Sequence, residues 1–405
     1  MSSLRTGHAP PHAERAAMPA AAAESPACDS VVILLVGILM TLGAVMVYSA
    51  STTVQGGTLD LERWWAGPLR QMVFALAGFA AMLFAAHLPY RLLKWEQPGD
   101  GWWSGALLLI SCLLLLAMLT PGVGVTALGA QRSIVLLRSP FTLSFQPTEV
   151  AKVVLPIWLA ALLTRPGVDM RSFKRGFLPA MASGGALIGL TAVEDYGTAA
   201  LMGVVLMVML SVAGARLSHL LGAGLLGAAG GVGFLLLKEY RVQRLLTFFS
   251  EAPDPSAEGY QVTQSLIAIG SGGWFGRGLG GGVQKFGYLP QDNNDFIFAI
   301  VCEELGVAGG IAVVLVFLLL LARGAAVARN APDAFGRLLA IGITLTICLQ
   351  AAFNIAVVTN CIPTKGISLP FVSAGGSGAV LLGTAAGLLA GVGGAALARR
   401  SRNIV

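Results

Sequence analysis

Asp295 is the acidic residue of this chain that is best placed to do chemistry. It ends a polar, turn-like stretch, residues 288–295, and an apolar run begins directly after it at Phe296. A carboxylate in that position is held at the boundary between water and lipid. Ionisable groups at membrane spans are costly and are functional candidates by default. An acid at that depth can meet a lipid-linked substrate whose head group is hydrated and whose tail is not.

A second candidate is the pair Glu149 and Lys152, which follows a polar segment that contains Arg132. Residues three apart share one face of a helix and can form an ion pair. Two charges near a membrane span are best tolerated when they neutralise each other. The pair is therefore interpreted as structural, with the alternative that Lys152 faces a phosphate-bearing substrate.

A long polar stretch, residues 238–294, carries further candidates for binding. They are Arg241, Arg244, Gln264, Ser265, Arg277 and Lys285. Cations above a membrane, with an acid at the end of the same stretch, suit an anionic lipid head group; a solvated surface loop is the alternative. The glycines at 276 and 278 do not indicate a dinucleotide site, because no strand precedes them.

A third polar segment, residues 363–377, is punctuated by Pro and Gly and leads into the last apolar run. Its candidate binding residues are Lys365, Ser373 and Ser377, and we expect it to pack beside the 238–294 stretch. The alternative is a shaped helix start with capping serines.

Two patterns predict structure rather than chemistry. Asp195 lies in a tight turn between short apolar runs and is expected to cap the helix that follows. Gly383, Gly387 and Gly391 recur every four residues in the last apolar run. Such a stripe of small residues predicts close packing of two membrane helices.

The elements that hold these residues are predicted to be membrane helices. The chain has 405 residues, of which 56% are apolar and 11% charged, whereas soluble proteins have about 25% charged residues. Its mean hydropathy is +0.77. The predicted fold is all-α, a polytopic membrane helix bundle, and the absence of period-two alternation excludes a barrel. The net charge of +6 is scattered over loops without a basic face, so no nucleic-acid partner is expected.

About ten transmembrane helices are predicted, because apolar runs of about 20 residues are needed to cross roughly 30 Å of hydrocarbon. One long extracytoplasmic loop, residues 238–294, separates the seventh from the eighth. The spans are 31–50, 69–88, 104–120, 147–164, 177–193, 198–213, 217–237, 295–322, 336–360 and 371–397.

The distribution of Lys and Arg predicts the orientation, because cytoplasmic loops carry an excess of both. With the amino terminus inside, 15 of the 26 Lys and Arg residues lie in cytoplasmic tails and short loops. Both termini are therefore predicted to be cytoplasmic, and Asp295 to lie outside. Residues 1–30 are predicted to be a disordered cytoplasmic tail, 31–398 the transmembrane domain and 399–405 a basic cytoplasmic tail. The five cysteines show no metal-ligand spacing.

The polar segments also resemble a known family. Residues 146–152, 259–265, 289–306 and 369–377 look like the corresponding segments of SEDS proteins (shape, elongation, division and sporulation). The resemblance covers nearly the whole chain from about residue 31. Residues 363–366 resemble the FtsW-like division branch more than the RodA-like elongation branch.

The chain departs from the family pattern at several positions. Asn293-Asn294 stand where His-Thr is usual, Glu194 replaces Pro, Ala374 replaces Tyr and Gly378 replaces Ser. Asp295 and the Phe-Ile-Phe that follows it are retained, which favours activity. The changed neighbours can alter the environment of the acid or of a cation beside it.

The resemblance implies a peptidoglycan glycosyltransferase that polymerises lipid II at the outer face of the bacterial cytoplasmic (inner) membrane, with a role in septal wall synthesis during cell division. Asp295 would be the general base, and the cations would hold the departing undecaprenyl pyrophosphate. The implied partners are the growing glycan chain, a class B penicillin-binding transpeptidase and other wall-synthesis membrane proteins. No nucleotide or other cofactor is required, and a divalent cation is compatible with the site.

Three alternatives stay open at this point. A lipid II flippase would also need many spans and polar groups within the membrane. A RodA-like elongation polymerase would share the chemistry, and a non-catalytic scaffold would not need Asp295.

Overall fold

The computed structural model describes residues 28–50, 54–55, 58–59, 66–95, 102–120, 124–127, 130–137, 143–236, 242, 248, 257–284, 295–363 and 366–402. Within them lie eleven α-helices and five short strands. The helices are α1 (Ser30–Ala50), α2 (Ala66–His87), α3 (Trp102–Leu119), α4 (Pro147–Leu163), α5 (Leu178–Glu194), α6 (Tyr196–Val212), α7 (Leu217–Leu236), α8 (Ala257–Gly272), α9 (Ile297–Asn330), α10 (Ala334–Val358) and α11 (Gly376–Arg402).

The strands form two small antiparallel sheets outside the helices. They are β1 (Val54–Gln55) paired with β2 (Thr58–Leu59), and β3 (Gly124–Ala127), β4 (Ala130–Leu137) and β5 (Leu143–Phe145) in that order. The sequence reading did not include them. They connect membrane helices and leave the all-α architecture unchanged.

The predicted membrane bundle is confirmed. Each of the ten predicted spans corresponds to one of the helices α1–α7 and α9–α11. In the described residues, eight helical segments are long and apolar enough to cross a membrane, while α4 and α6 have 17 residues each and are shorter. The 238–294 stretch differs from a continuous loop, because α8 occupies 16 of its residues. A helix of that length with many polar residues is too short and too polar to be recognised as a membrane span from hydropathy.

Local sequence signals fix several helix starts. Pro147 opens α4, a position where its missing N–H costs no hydrogen bond. Asp195 caps α6 as predicted, since its Oδ1 accepts the N–H of Thr198 at 3.0 Å. Asp333 caps α10 in the same way, with its Oδ1 at 2.6 Å from the N–H of Gly336.

The glycine stripe of the last helix packs closely against α2, as predicted. A Cβ added at Gly383 or Gly387 would strike the carbonyl oxygen of Gly78 or Met82, and one at Gly391 would lie 3.0 Å from the carbonyl oxygen of Ala86. Backbone contact of this kind is possible only for small residues. Helix α11 is therefore held against α2 along much of its length.

The end of the bundle opposite Asp295 is tied by acid–base contacts. Asp29 precedes α1, is 1% exposed, and accepts from the Nε of Arg323 at 2.9 Å and from its Nη2 at 2.8 Å. Asp333 accepts the hydroxyl of Tyr90 at 3.2 Å. Burial, together with the carboxylate of Asp333, raises the pKa of Tyr90 to about 12. These contacts join the start of α1 to α9, and the segment after α2 to the α9–α10 connection, at the predicted cytoplasmic side.

Helix α9 is broken at Gly306, and the turn after α8 fills the break. Gly306 has a φ of 74°, in the left-handed region. The N–H of Val307 donates to the carbonyl of Gly273 at 2.9 Å, and that of Ala308 to the carbonyl of Trp274 at 3.2 Å. Backbone groups that cannot bond within the helix are thus satisfied by another segment, as hydrocarbon surroundings require.

The other side of the break is satisfied in the same way. The N–H groups of Arg277 and Gly278 donate to the carbonyls of Glu303 and Glu304, each at 3.0 Å. At 1.5 Å per residue, Gly306 lies about 13 Å along α9 from its start. The turn from α8 therefore reaches well below the level of Asp295.

We predict that Gly306→Ala sharply lowers the yield of folded protein. An alanine Cβ would strike the backbone of Gly276 and Trp274, in addition to requiring the left-handed conformation. Gly278→Ala separates the two effects, since Gly278 has a φ of 87° and open space around it. It should cost only about 1–2 kcal/mol.

The measurement is the amount of monodisperse protein after extraction, together with its Tm. Gly203→Ala, in an uncrowded part of α6, is the control and should be neutral or stabilising. Equal yields for Gly306→Ala and Gly203→Ala would contradict the described break.

Candidate active site

The site is built on a buried ion pair at the start of α4. The Nζ of Lys152 lies 2.6 Å from the Oε1 of Glu149, and the two side chains are 2% and 9% exposed. The i,i+3 pair predicted from the sequence is confirmed. Glu149 lies in the first turn of α4, where the helix dipole favours a negative charge.

The second oxygen of Glu149 faces the start of α11. Its Oε2 is buried and has no hydrogen-bond partner in the described residues. A Cβ added at Gly378 would lie 3.1 Å from this oxygen. Ser377 lies beside it, with its Oγ 3.4 Å from the N–H of Gln146. Gly378, one of the departures from the family pattern, thus lets the backbone of α11 pack closely against the carboxylate.

Two amides on α10 complete the polar interior, and the sequence analysis missed both. Gln350 and Asn354 are 0% and 1% exposed. The Oε1 of Gln350 accepts from the Nζ of Lys152 at 2.8 Å. The Nδ2 of Asn354 donates to the backbone carbonyl of Asp295 at 2.7 Å. The available signal was a pair of amides four residues apart inside an apolar span.

Asp295 lies where the sequence predicted, directly before α9. It is partly exposed, while the residues after it, from Phe296 to Glu304, are buried. Gln350 and Asn354 are separated by four residues, about 6 Å along α10. The backbone of Asp295 and the ammonium group of Lys152 are therefore bound to neighbouring turns of one helix.

Two predicted residues of the third polar segment, Ser373 and Ser377, also lie at this end of the bundle. The Oγ of Ser373 accepts the N–H of Leu369 at 2.7 Å, which shapes the turn before α11. The Nε2 of Gln71, from α2, donates to the carbonyl of Ser373 at 3.4 Å. The alternative given for this segment, a helix start shaped by serines, describes Ser373 well.

Ser265 and Gln264 occupy α8. The Oγ of Ser265 is buried and donates to the carbonyl of Val358 at 2.8 Å, at the end of α10. This hydrogen bond holds α8 against α10, so the contact that the structure shows for Ser265 is between helices. Gln264 is partly exposed on the same helix.

Several predicted binding residues lie outside the described residues. They are Arg241, Arg244, Lys285 and Lys365, together with the side chain of Arg132 in β4. Asn293-Asn294 also lie outside. Their proposed contacts with substrate stay predictions.

Two buried carboxylates lie deeper, beside the break in α9. Glu303 accepts the N–H groups of Val283 and Gln284 at 2.7 and 3.3 Å, and Arg277 approaches it at 3.9 Å. Glu304 accepts the hydroxyl of Ser49 at 2.7 Å. Arg277, counted among the cations of the long stretch, is thus directed at Glu303.

Within the described ranges, no group of three or more His, Cys, Asp or Glu side chains could hold a metal ion.

The fold and this site define a polytopic membrane protein with a buried cation, a carboxylate at the membrane boundary and an intramembrane helix break. A family model described as cell cycle protein, the FtsW/RodA/SpoVE family, matches residues 29–396. The chain belongs to this family, which confirms the resemblance to SEDS proteins.

Individual relatives cover nearly the same range. Stage V sporulation protein E of Bacillus subtilis (strain 168) is 40% identical over 365 residues, which is 90% of this chain and 96% of that protein. A probable peptidoglycan glycosyltransferase FtsW of Geobacter sp. (strain M18) is 40% identical over 370 residues, with the same coverage of 90% and 96%.

Solved structures support the fold. A chain of a peptidoglycan synthase complex that coordinates polymerization and crosslinking is 30% identical, with a TM-score of 0.68, covering 93% of this chain and 98% of that one. The rod shape determining protein RodA of Thermus thermophilus is 26% identical, with a TM-score of 0.59, covering 93% and 97%.

We predict that breaking the Glu149–Lys152 pair destabilises the protein. Removing one partner leaves an uncompensated buried charge, at a cost of roughly 3–5 kcal/mol. Glu149→Ala and Lys152→Ala should each lower the amount of folded protein, and the double change should partly restore it. If Lys152 also binds substrate, both variants that lack it should form little polymer per folded molecule.

The measurements are membrane protein level and polymer yield for all four combinations. Thr346→Val on α10 is the matched control, because the hydroxyl of Thr346 bonds only within its own helix, to the carbonyl of Gly342 at 2.8 Å, among the described contacts. Wild-type level and wild-type polymer yield in Lys152→Ala would rule out both roles of the lysine.

Proposed function

We propose that this chain is a peptidoglycan glycosyltransferase that polymerises lipid II into glycan strands at the outer face of the cytoplasmic membrane. The observation that carries the proposal is the arrangement on α10. Gln350 and Asn354 bring a buried cation and the backbone of a boundary carboxylate to neighbouring turns. A departing lipid pyrophosphate needs a cation to stabilise its negative charge. The sugar hydroxyl that attacks the donor needs a base to take its proton.

Asp295 is the proposed general base. It takes the proton from an acceptor sugar hydroxyl as that oxygen attacks the anomeric carbon of the donor. The bond from the anomeric carbon to the pyrophosphate oxygen breaks, and the bonding electrons leave with the lipid pyrophosphate. One carboxylate is enough because pyrophosphate departs without being protonated, unlike the alkoxide released in glycoside hydrolysis.

Lys152 is the proposed electrostatic partner of the departing pyrophosphate. A preorganised cation in water-excluded surroundings stabilises charge that develops during reaction. Glu149 neutralises Lys152 in the absence of substrate, which explains how a charged ammonium group can be buried at this position. Arg132, Arg241, Arg244, Lys285 and Lys365 are proposed to assist, together with Gln264, Ser373 and Ser377 as polar contacts. None of these steps requires a divalent cation, and one beside Asp295 is compatible with them.

The biological setting is proposed from the relatives. The relatives named FtsW, together with residues 363–366, favour septal wall synthesis in division over an elongation role. The peptidoglycan synthase complex among the solved structures favours a penicillin-binding transpeptidase as partner. The predicted location is the inner membrane with both termini cytoplasmic.

The first test is Asp295→Asn in purified protein, with its transpeptidase partner added, and lipid II as substrate. The amide is nearly isosteric with the carboxylate but cannot take the proton, so the polymerisation rate should fall about 10²–10⁴-fold. Folded yield and Tm should match the wild type.

Transport of fluorescent lipid II across liposomes by the same preparations separates polymerase from flippase. Near-normal polymer from well-folded Asp295→Asn would remove Asp295 as the base. If the wild type transports lipid II but forms no polymer, the proposed polymerase activity is wrong and a flippase takes its place.

The orientation can be tested with a native thiol. Cys361 follows α10, is exposed, and lies at the same end of α10 as Asn354. An impermeant maleimide should therefore label it in right-side-out membrane vesicles and leave it unlabelled in sealed inside-out vesicles. Cys361→Ser identifies the signal, and Ser172→Cys in that background, on the predicted cytoplasmic side, should show the opposite pattern. Labelling of Cys361 only in inside-out vesicles would reverse the topology.

A further inference from the structure

The two buried amides of α10 contact both the ammonium group of Lys152 and the backbone of Asp295. Gln350 and Asn354 lie on the same face of the helix, four residues apart. Gln350 links the Lys152 ammonium group, through Oε1 at 2.8 Å, to the carbonyl of Ser368, through Nε2 at 2.9 Å. The first contact joins residues 198 positions apart, and the second joins α10 to the segment that follows it, 18 positions further along the chain.

Asn354 makes the corresponding link for Asp295. Its Nδ2 donates to the carbonyl of Asp295 and to the carbonyl of Ile367, each at 2.7 Å. Asp295 precedes α9, so its carbonyl lies outside the helical hydrogen-bond ladder. The amide thus fixes the backbone that carries the carboxylate.

The chemistry of the contacts explains the amide of Gln350 and the NH₂ group of Asn354, whose Oδ1 has no hydrogen-bond partner in the described residues. An ammonium group only donates and a backbone carbonyl only accepts, so a side chain between the two needs both an acceptor and a donor. The uncharged amide of Gln350 provides both, an acceptor in Oε1 and a donor in Nε2. At Asn354, one NH₂ group serves two carbonyls, which a carboxylate or an apolar side chain could not do. Leaving buried polar groups without partners costs about 1–3 kcal/mol each.

We propose that Gln350 and Asn354 are positioning residues of the polymerisation reaction: Gln350 aims the Lys152 ammonium group, and Asn354 sets the backbone of Asp295. The inference rests on the roles proposed above for Lys152 and Asp295. Neither amide is proposed to touch the reacting atoms. Their effect is geometric, because a misplacement of about 1 Å can cost about 10²-fold in rate.

The two amides are expected to have different kinetic signatures. Asn354 acts on the base, which matters only as the proton moves, so Asn354→Leu should lower kcat about 10–100-fold at nearly constant KM for lipid II. Gln350 positions Lys152, which is proposed to hold the pyrophosphate both in the bound substrate and in the transition state. Gln350→Met should therefore raise KM about tenfold or more, as expected for losing a hydrogen bond to a charged group.

The experiment measures kcat and KM for lipid II with purified full-length protein and its transpeptidase partner, normalised to the folded fraction. Leu and Met approximate the shapes of Asn and Gln, so cavities are avoided. Thr346→Val on the same helix is the matched control and should leave both constants unchanged. If Asn354→Leu folds poorly, Asn354→Ser, which keeps one donor, should fold and give an intermediate kcat.

Double variants show whether each amide acts through its proposed partner. Adding Asn354→Leu to Asp295→Asn should lower the residual rate by less than twofold, because the base is already absent. Adding Gln350→Met to Lys152→Ala should leave KM unchanged. Full additivity in either pair, or wild-type constants in folded Asn354→Leu and Gln350→Met, would overturn the inference. An active Asp295→Asn alone would instead count against the proposed base, so the two failures are distinguishable.

Discussion

The rest of the site depends on keeping one ammonium group charged inside a membrane protein. Moving such an ion into a medium of low dielectric constant still costs several kcal/mol after relaxation. Lys152 is held by the carboxylate of Glu149 and the amide oxygen of Gln350, which requires α4 and α10 to meet at this level. The start of α11 closes the same space, since Gly378 leaves no side chain between its backbone and Glu149. The position of three helices thus follows from the solvation of one charge.

A second constraint acts on the backbone rather than on side chains. Hydrocarbon offers no hydrogen bonds, so a broken helix within a membrane needs partners from protein. The turn after α8 supplies them at Gly306, and the carboxylate of Glu303 in turn accepts the N–H groups of Val283 and Gln284. Residues 273–284 are therefore anchored beside the break in α9. This attachment combines backbone hydrogen bonds at the break with the side-chain carboxylate of Glu303.

The features that local sequence rules could predict are those whose partners are close in the chain. The Glu149–Lys152 pair, the cap at Asp195 and the spans themselves follow from spacing and hydropathy. The contacts of Gln350 and Asn354 join residues 198 and 59 positions apart, and no local pattern specifies them. The break in α9 was hidden as well, because one glycine in a long apolar run reads as an ordinary helix. Helix α8 is too polar to be recognised as a membrane span, and no local pattern shows that the turn after it fills the break in α9.

The break in α9 also constrains how the chain enters the membrane during synthesis. Residues 273–278 leave the ribosome before Gly306, yet each side of the junction presents open backbone groups until the other arrives. Neither can rest stably in lipid alone. The turn after α8 and the first part of α9 therefore have to reach their final place together, although α9 alone of the two described helices, α8 and α9, is apolar enough to be recognised as a span. Until α9 is in place, the turn after α8 therefore has to stay in water or against other protein, where its backbone groups find hydrogen-bond partners.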